Sequence, residues 1–179
     1  MLSVKEKVCY VSDLFYDGRL PLRVTHNDTK CNNIMFDRET GEPLAVIDLD
    51  TVMPGCAAFD FGDGIRFIAN STDEDERDTS KCGLDIDKYR AFSEGFIQEV
   101  KENLTEAEVL SFPMGAVAMT GEVAVRFLTD YLNGDVYFKT RYPDHNLVRA
   151  RNQIALLTDM LRKEDEMKTI VEQILQEES

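Results

Sequence analysis

At 179 residues the chain has the length of one ordinary domain, enough to bury a core and too short for two full-sized ones. Twenty Lys and Arg against 34 Asp and Glu leave a formal charge of −14, which argues against a nucleic-acid binder or a polybasic membrane surface, because both need clustered cations to meet phosphates. The apolar share of 43%, with 10 Gly and 5 Pro, is that of a globular fold rather than a disordered acidic tail.

In chain order, Val4, Val8, Val11 and Phe15 recur at helical spacing and predict a helix from about Ser3 to Phe15, stopped at Asp17-Gly18. Leu22 to Thr25 is a short apolar run, followed by a polar loop from His26 to Asn33. Ile34-Met35-Phe36 and Leu44 to Asp48, on either side of a turn holding Gly41 and Pro43, predict a β-hairpin. After Asp48 the pattern reads as helical throughout. Phe59, Ile65, Phe67 and Ile68 mark one helix toward Ala69, and Ser71 to Asp78 reads as an acidic, solvated linker. Tyr89, Phe92, Phe96 and Val100 form the buried stripe of the next helix. Thr105 and Glu108 make a T-x-x-E capping box, and Pro113 is expected to break or restart the helix that runs on to about Tyr131. Asp144 is the expected N-cap of the last helix, with His145 helping to start it and a polar stretch at Lys163–Glu166 able to split it.

Cys9, Cys31, Cys56 and Cys82 form no CxxC pair, which fits a reducing compartment, and Cys31 and Cys56 read as small fillers rather than nucleophiles. The charged N-terminus lacks the apolar centre of a signal peptide. The apolar stretch Met114–Leu128 is broken by Glu122 and Arg126 and falls short of a membrane span. These features predict a cytoplasmic protein.

The chemistry concentrates in His26-Asn27-Asp28-Thr29-Lys30-Cys31-Asn32-Asn33, an HxDxxxxN run between two strands, with Asp48 twenty residues after Asp28. A hairpin that brings its ends together gathers Asp28, Asn33 and Asp48 around one small volume. Such oxygen ligands suit Mg²⁺, which is held by one or two carboxylates together with substrate phosphates. A carboxylate for the alcohol proton, an Asn and an Asp for metal, and a cation for phosphate are what one half of a phosphoryl-transfer site requires. Lys30 can be that cation, and His26 is expected to orient the loop by hydrogen bonding rather than to titrate. Arg126 interrupts an apolar helix with Asp130 at i+4, so an intrahelical ion pair and a cleft-facing role both stand.

Thr25 to Asn33, the hairpin, IDLDT at 47–51 and PGCAAFDFGD at 54–63 together resemble the aminoglycoside phosphotransferase and choline kinase-like superfamily. HNDTKCNN, VIDLDTVMPG and FLTDYLNGDVYF are most similar to its N-acetylhexosamine 1-kinase-like members. The resemblance implies an α+β, mostly helical fold: a kinase-like C-terminal lobe over residues 1–179, with a small hairpin beside the catalytic loop. It also implies transfer of the γ-phosphoryl of ATP, with Mg²⁺, to a sugar hydroxyl. Asp28 matches the catalytic base, with Lys30 facing the γ-phosphate and His26 in the same loop. Asn33 and Asp48 match metal ligands, and Lys30, Asn33 and Asp48 together would hold the cofactor. Asp60 resembles a carboxylate that braces the loop, Asp50 a second acid after the metal ligand, and Arg126 and Tyr137 fall near the sugar.

No GxGxxG loop and no strand lysine of an N-terminal ATP-binding lobe are visible. The chain alone is therefore expected to lack turnover, and to meet either an N-lobe-bearing partner or a second copy through an exposed lobe face. A non-catalytic binding or interaction module is the alternative.

Overall fold

The computed structural model describes residues 4–177. It is an α+β fold dominated by helices, consistent with a kinase-like lobe. Helix α1 spans Lys5–Tyr16, so the predicted start at Ser3 lies outside the described residues. Strand β1 (Arg23–Thr25), β2 (Ile34–Phe36), β3 (Pro43–Val46) and β4 (Met53–Gly55) follow, and then α2 (Ala57–Ile68), α3 (Ile86–Val100), α4 (Glu106–Leu132), α5 (His145–Arg162) and α6 (Glu164–Glu177).

The expected hairpin forms: β2 pairs antiparallel with β3, Ile34 opposite Val46. Its turn is organised by Asp37, whose Oδ1 accepts the backbone N–H groups of Glu39 and Thr40, and by Gly41 at φ 75°. The expectation of unbroken helix after Asp48 is corrected. A single 3₁₀ turn (Leu49–Thr51) leads into β4, which pairs antiparallel with β1. Three residues are too few to show an alternating pattern, and Pro54 and Gly55 disguise the strand.

The core lies between α2 and α4. Gly62 faces Gly115 across the crossing, and a Cβ on Gly62 would lie 2.3 Å from the Gly115 carbonyl oxygen, so the helices touch backbone to backbone. Phe61 stacks on Phe112 at 4.6 Å between centroids and meets Phe96 edge-on at 5.5 Å. Each such buried ring contributes about 2–3 kcal/mol of apolar burial.

Pro113 does not break α4. It sits inside a continuous 27-residue helix, because burial of Phe112, Pro113 and Met114 outweighs the one backbone hydrogen bond that proline cannot donate. That helix is long and apolar enough to cross a membrane, yet 72% of its apolar window is buried inside the fold. Its capping box closes as expected, Thr105 Oγ1 accepting from Glu108 N and Glu108 from Thr105 N. Glu108 also receives the Arg23 guanidinium in a bidentate pair at 2.7 and 2.8 Å, fastening β1 to α4.

Two further expectations change. Asp144 holds the N-cap position of α5 but at φ 65° with no capping bond; its carboxylate meets Arg77 at 3.3 Å instead. The acidic segment Ser71–Asp78 is docked rather than solvated. Glu74 pairs with Arg66 at 2.7 Å, Asp75 lies 3.4 Å from the buried His145 ring, and Asn152 donates to the Asp73 carbonyl. Acids that read as solvated in sequence find cations from α2 and α5 in space. Lys163 does divide the last helical stretch into α5 and α6.

Candidate active site

The loop from His26 to Asn33 hangs between β1 and β2 and is tied to α2 by one residue. The Asp60 carboxylate, in the first turn of α2, accepts the His26 N–H at 2.7 Å and the Asn27 N–H at 2.8 Å, while Thr29 Oγ1 donates to the Asp60 carbonyl at 2.5 Å. Burial pushes the Asp60 carboxyl up despite these two donors. Asn27 is left-handed at φ 63°, a conformation that Asn tolerates better than most residues. Its amide donates to the carbonyls of Thr25 and Thr51, stitching the loop to β1 and to the turn before β4. His26 directs Nε2 to the Ile47 carbonyl at 3.0 Å, an orienting contact to the hairpin.

These anchors present Asp28. Its Oδ2 receives Lys30 Nζ at 2.6 Å and Asn33 Nδ2 at 2.9 Å. Burial pushes the Asp28 carboxyl up, but the hydrogen bonds from Lys30 and Asn33 and the Lys30 charge outweigh it and hold the group below its ordinary value. Asp28 is thus an ionised acceptor at neutral pH. Asn33 is buried, also donates to the Asp28 carbonyl at 2.8 Å, and through its own carbonyl accepts the Ile47 N–H at 2.9 Å. That last bond brings the end of β3, and with it Asp48, to the loop that carries Asp28.

Asp48 is left-handed at φ 63° and exposed. Its carboxyl is raised, first by sharing a hydrogen bond with Asp50 and by that group's charge, and further by Asp28. No group of three His, Cys, Asp or Glu side chains suited to a metal occurs among the described residues. Mg²⁺ does not need one, since a carboxylate and an amide oxygen beside substrate phosphates suffice. Asn33 spends its amide N–H groups on Asp28 and is left with its amide oxygen for a cation, and the exposed Asp48 carboxylate follows Ile47, which is bonded to Asn33, so Asn33 and Asp48 fit that role.

A cavity of about 440 Å³ opens beside Asp28 and Lys30. Phe67, Phe127, Tyr137 and Phe138 supply its apolar wall, and Arg66, Arg126 and Arg149 its cations. Arg126 and Tyr137, separate in sequence, meet here: Nη2 donates to the Tyr137 hydroxyl at 3.4 Å, and the guanidinium lies over the Tyr137 and Phe138 rings at 5.5 and 5.3 Å. The Arg126–Asp130 ion pair does not form. Asp130 instead accepts the backbone N–H groups of Val136, Tyr137 and Phe138, shaping the turn that carries Tyr137, and Arg126 lies 3.6 Å from Glu122.

Sequence reasoning missed Asp63, Arg66, Glu74 and Arg149. Arg66 is buried between Asp63 at 2.9 Å and Glu74 at 2.7 Å, and Arg149 packs over Phe127. An Arg in the last turn of α2 between apolar residues was the available signal, since a buried Arg needs carboxylate partners. Cys31 and Cys56 carry free thiols that burial pushes up, away from nucleophilic thiolate.

Residues 12–92 match the phosphotransferase enzyme family (APH). The matched span runs from α1 into α3 and contains the whole loop, the hairpin, Asp48, Asp60 and the docked acidic segment. It supports a phosphotransferase-like domain. Arg126 and Tyr137 lie beyond it.

Proposed function

We propose that this chain is the catalytic-loop lobe of a small-molecule phosphotransferase whose acceptor is a neutral N-acetylhexosamine, phosphorylated at its anomeric hydroxyl. The observation that carries the reading is Asp28, ionised and aimed by Lys30 and Asn33 beside a cavity large enough for one sugar. In that role Asp28 accepts the hydroxyl proton as the sugar oxygen bonds to the γ-phosphorus and the bond to the ADP oxygen breaks. Asn33 and Asp48 would hold Mg²⁺, which supplies charge neutralisation on the phosphates. Lys30, paired with Asp28 at 2.6 Å, would offer its charge to the same phosphoryl group, and His26 and Asp60 would position the loop without touching the reacting atoms.

The cavity's charges support this acceptor class. Asp28, Asp63 and Glu74 line it together with Lys30, Arg66, Arg126 and Arg149, so its carboxylates are matched by its own cations and a polycationic amino-sugar finds no net negative site. Aromatic faces with arginine donors suit the apolar faces and hydroxyls of a neutral sugar.

A second reading, a binding or interaction module without turnover, is favoured by one feature. Val24 of β1, Leu44 of β3 and Leu49 of the turn before β4 are exposed, apolar surface open to an N-lobe-bearing partner or a second copy.

Transfer of label from Mg-[γ-³²P]ATP to N-acetylglucosamine, assayed with the chain alone and with a nucleotide-binding lobe supplied in trans, separates the readings. Labelled sugar 1-phosphate that disappears in Asp28→Asn supports the phosphotransferase. Sugar binding without transfer under either condition supports the module, and tighter binding of choline or an aminoglycoside overturns the acceptor class.

A further inference from the structure

A second cavity, of about 630 Å³, adjoins the first. Val8, Cys9 and Ser12 of α1, Phe59 of α2, and Ala118 and Val125 of α4 give it a largely apolar wall, and its one carboxylate, Glu122, lies 3.6 Å from Arg126. It is built into a helix contact rather than a loose loop: α1 rests on α4 at Gly121, where a Cβ would lie 2.8 Å from both Val8 methyls. Three residues, Asn27, Met119 and Arg126, line both cavities. Asn27 immediately precedes Asp28, so the apolar cavity opens at the point where the acceptor hydroxyl would be held.

We propose that the acceptor site takes, besides N-acetylhexosamine itself, hexosamines whose N-acyl group is an apolar chain of several carbons, and that this chain occupies the cavity between α1 and α4. The proposal rests on the sugar reading above and specifies it. In an N-acylhexosamine the acyl nitrogen is attached one carbon from the anomeric position, so with the anomeric hydroxyl at Asp28 the chain would leave the sugar near Asn27, which lines both cavities. An acetyl group ends in a single methyl and leaves most of a 630 Å³ apolar space unfilled. A longer chain removes both its own surface and that of Val8, Phe59 and Val125 from water. Arg126 stands on the divide, able to hold the sugar while the chain passes behind it.

Calorimetric titration of the chain with N-acetylglucosamine and with N-hexanoylglucosamine tests this. Each buried methylene strengthens binding about fourfold, so four added methylenes, even half buried, are expected to tighten binding at least tenfold. Ser12→Trp, on the half-buried face of α1, fills the cavity from its rim. It should cut the gain below twofold while leaving N-acetylglucosamine affinity unchanged. The chain has no other Trp, so the fluorescence of this one reports whether the ring sits in apolar surroundings. Val125→Glu, at a half-exposed position, should cut the gain equally by setting a carboxylate in the apolar wall in addition to Glu122. Equal affinity for the two sugars, or a hexanoyl gain that survives both substitutions, overturns the proposal and leaves the sugar reading standing. Failure of both sugars to bind overturns the sugar reading itself, and this proposal with it.

Discussion

The helical part and the strand-bearing segment from Arg23 to Gly55 are held by different forces. Between α2 and α4 the side chains of Phe61, Phe112, Val117 and Ile65 have no contact with water, and the arrangement is specified by packing. In the strand segment Val24 is 81% exposed, Leu44 61% and Leu49 59%. Apolar burial cannot locate the loop that carries Asp28, and directional bonds do it instead: Asp60 to two backbone amides, Asn27 to two carbonyls, and Arg23 to Glu108. A few strong bonds to a rigid helix thus fix the loop that carries Asp28 while its surroundings stay open to solvent.

The sharpest way to separate the two parts is Asp28→Asn, which keeps shape and removes the proton acceptor. Phosphotransfer, measured by label transfer with a nucleotide-binding lobe supplied, should fall about 10²–10⁴-fold, and the thermal unfolding midpoint should not drop. Gly62→Val attacks the other part. With the Gly115 carbonyl 2.3 Å from the new Cβ, the α2–α4 crossing must open, and denaturant titration should register a loss of about 3 kcal/mol.

Asp60→Ala tests the joint between them. It strands the His26 and Asn27 amides, costing about 2 kcal/mol, and hydrogen exchange should show those two amides losing protection while α4 keeps its own. A smaller effect is expected from pH. Burial, then the charges of Arg149 and Arg141, holds the His145 ring below its ordinary value of 6.5 against the pull of Asp75. A base with a lowered folded pKa contributes stability that is whole above pH 6.5 and lost as pH falls through its folded value. Wild type should therefore lose unfolding temperature below pH 6.5 more steeply than His145→Asn, whose amide oxygen can still accept the Arg141 N–H. Smallest of all, Val24→Ser should change stability by less than about 0.5 kcal/mol, and a fall in self-association by sedimentation would mark the strand face as the contact.

The helices were legible because each carries its own signal: the Tyr89–Val100 stripe, the Thr105–Glu108 box and the apolar run of α4 are local patterns. The order of groups in the loop was legible for the same reason, as Asp28, Lys30 and Asn33 lie within six residues and close on one another in space. Strand β4 was not, since its pairing with β1 joins residues 28 or more positions apart. Nor was the docking of Glu74 and Asp75, which look like solvated acids until Arg66 and His145 are brought to them.

What the sequence determined by itself was therefore local: where helices begin, that one hairpin flanks a polar loop, and which side chains that loop offers. Only the tertiary structure decided which distant groups share a cavity. Arg66, Glu74, Arg126, Tyr137 and Arg149 come from five separate stretches, and their meeting depends on how α2, α4 and α5 pack. Sequence patterns record the period of a face. They do not record which face it will meet, because that is set by the fit of whole helices, down to two glycines that let their backbones touch.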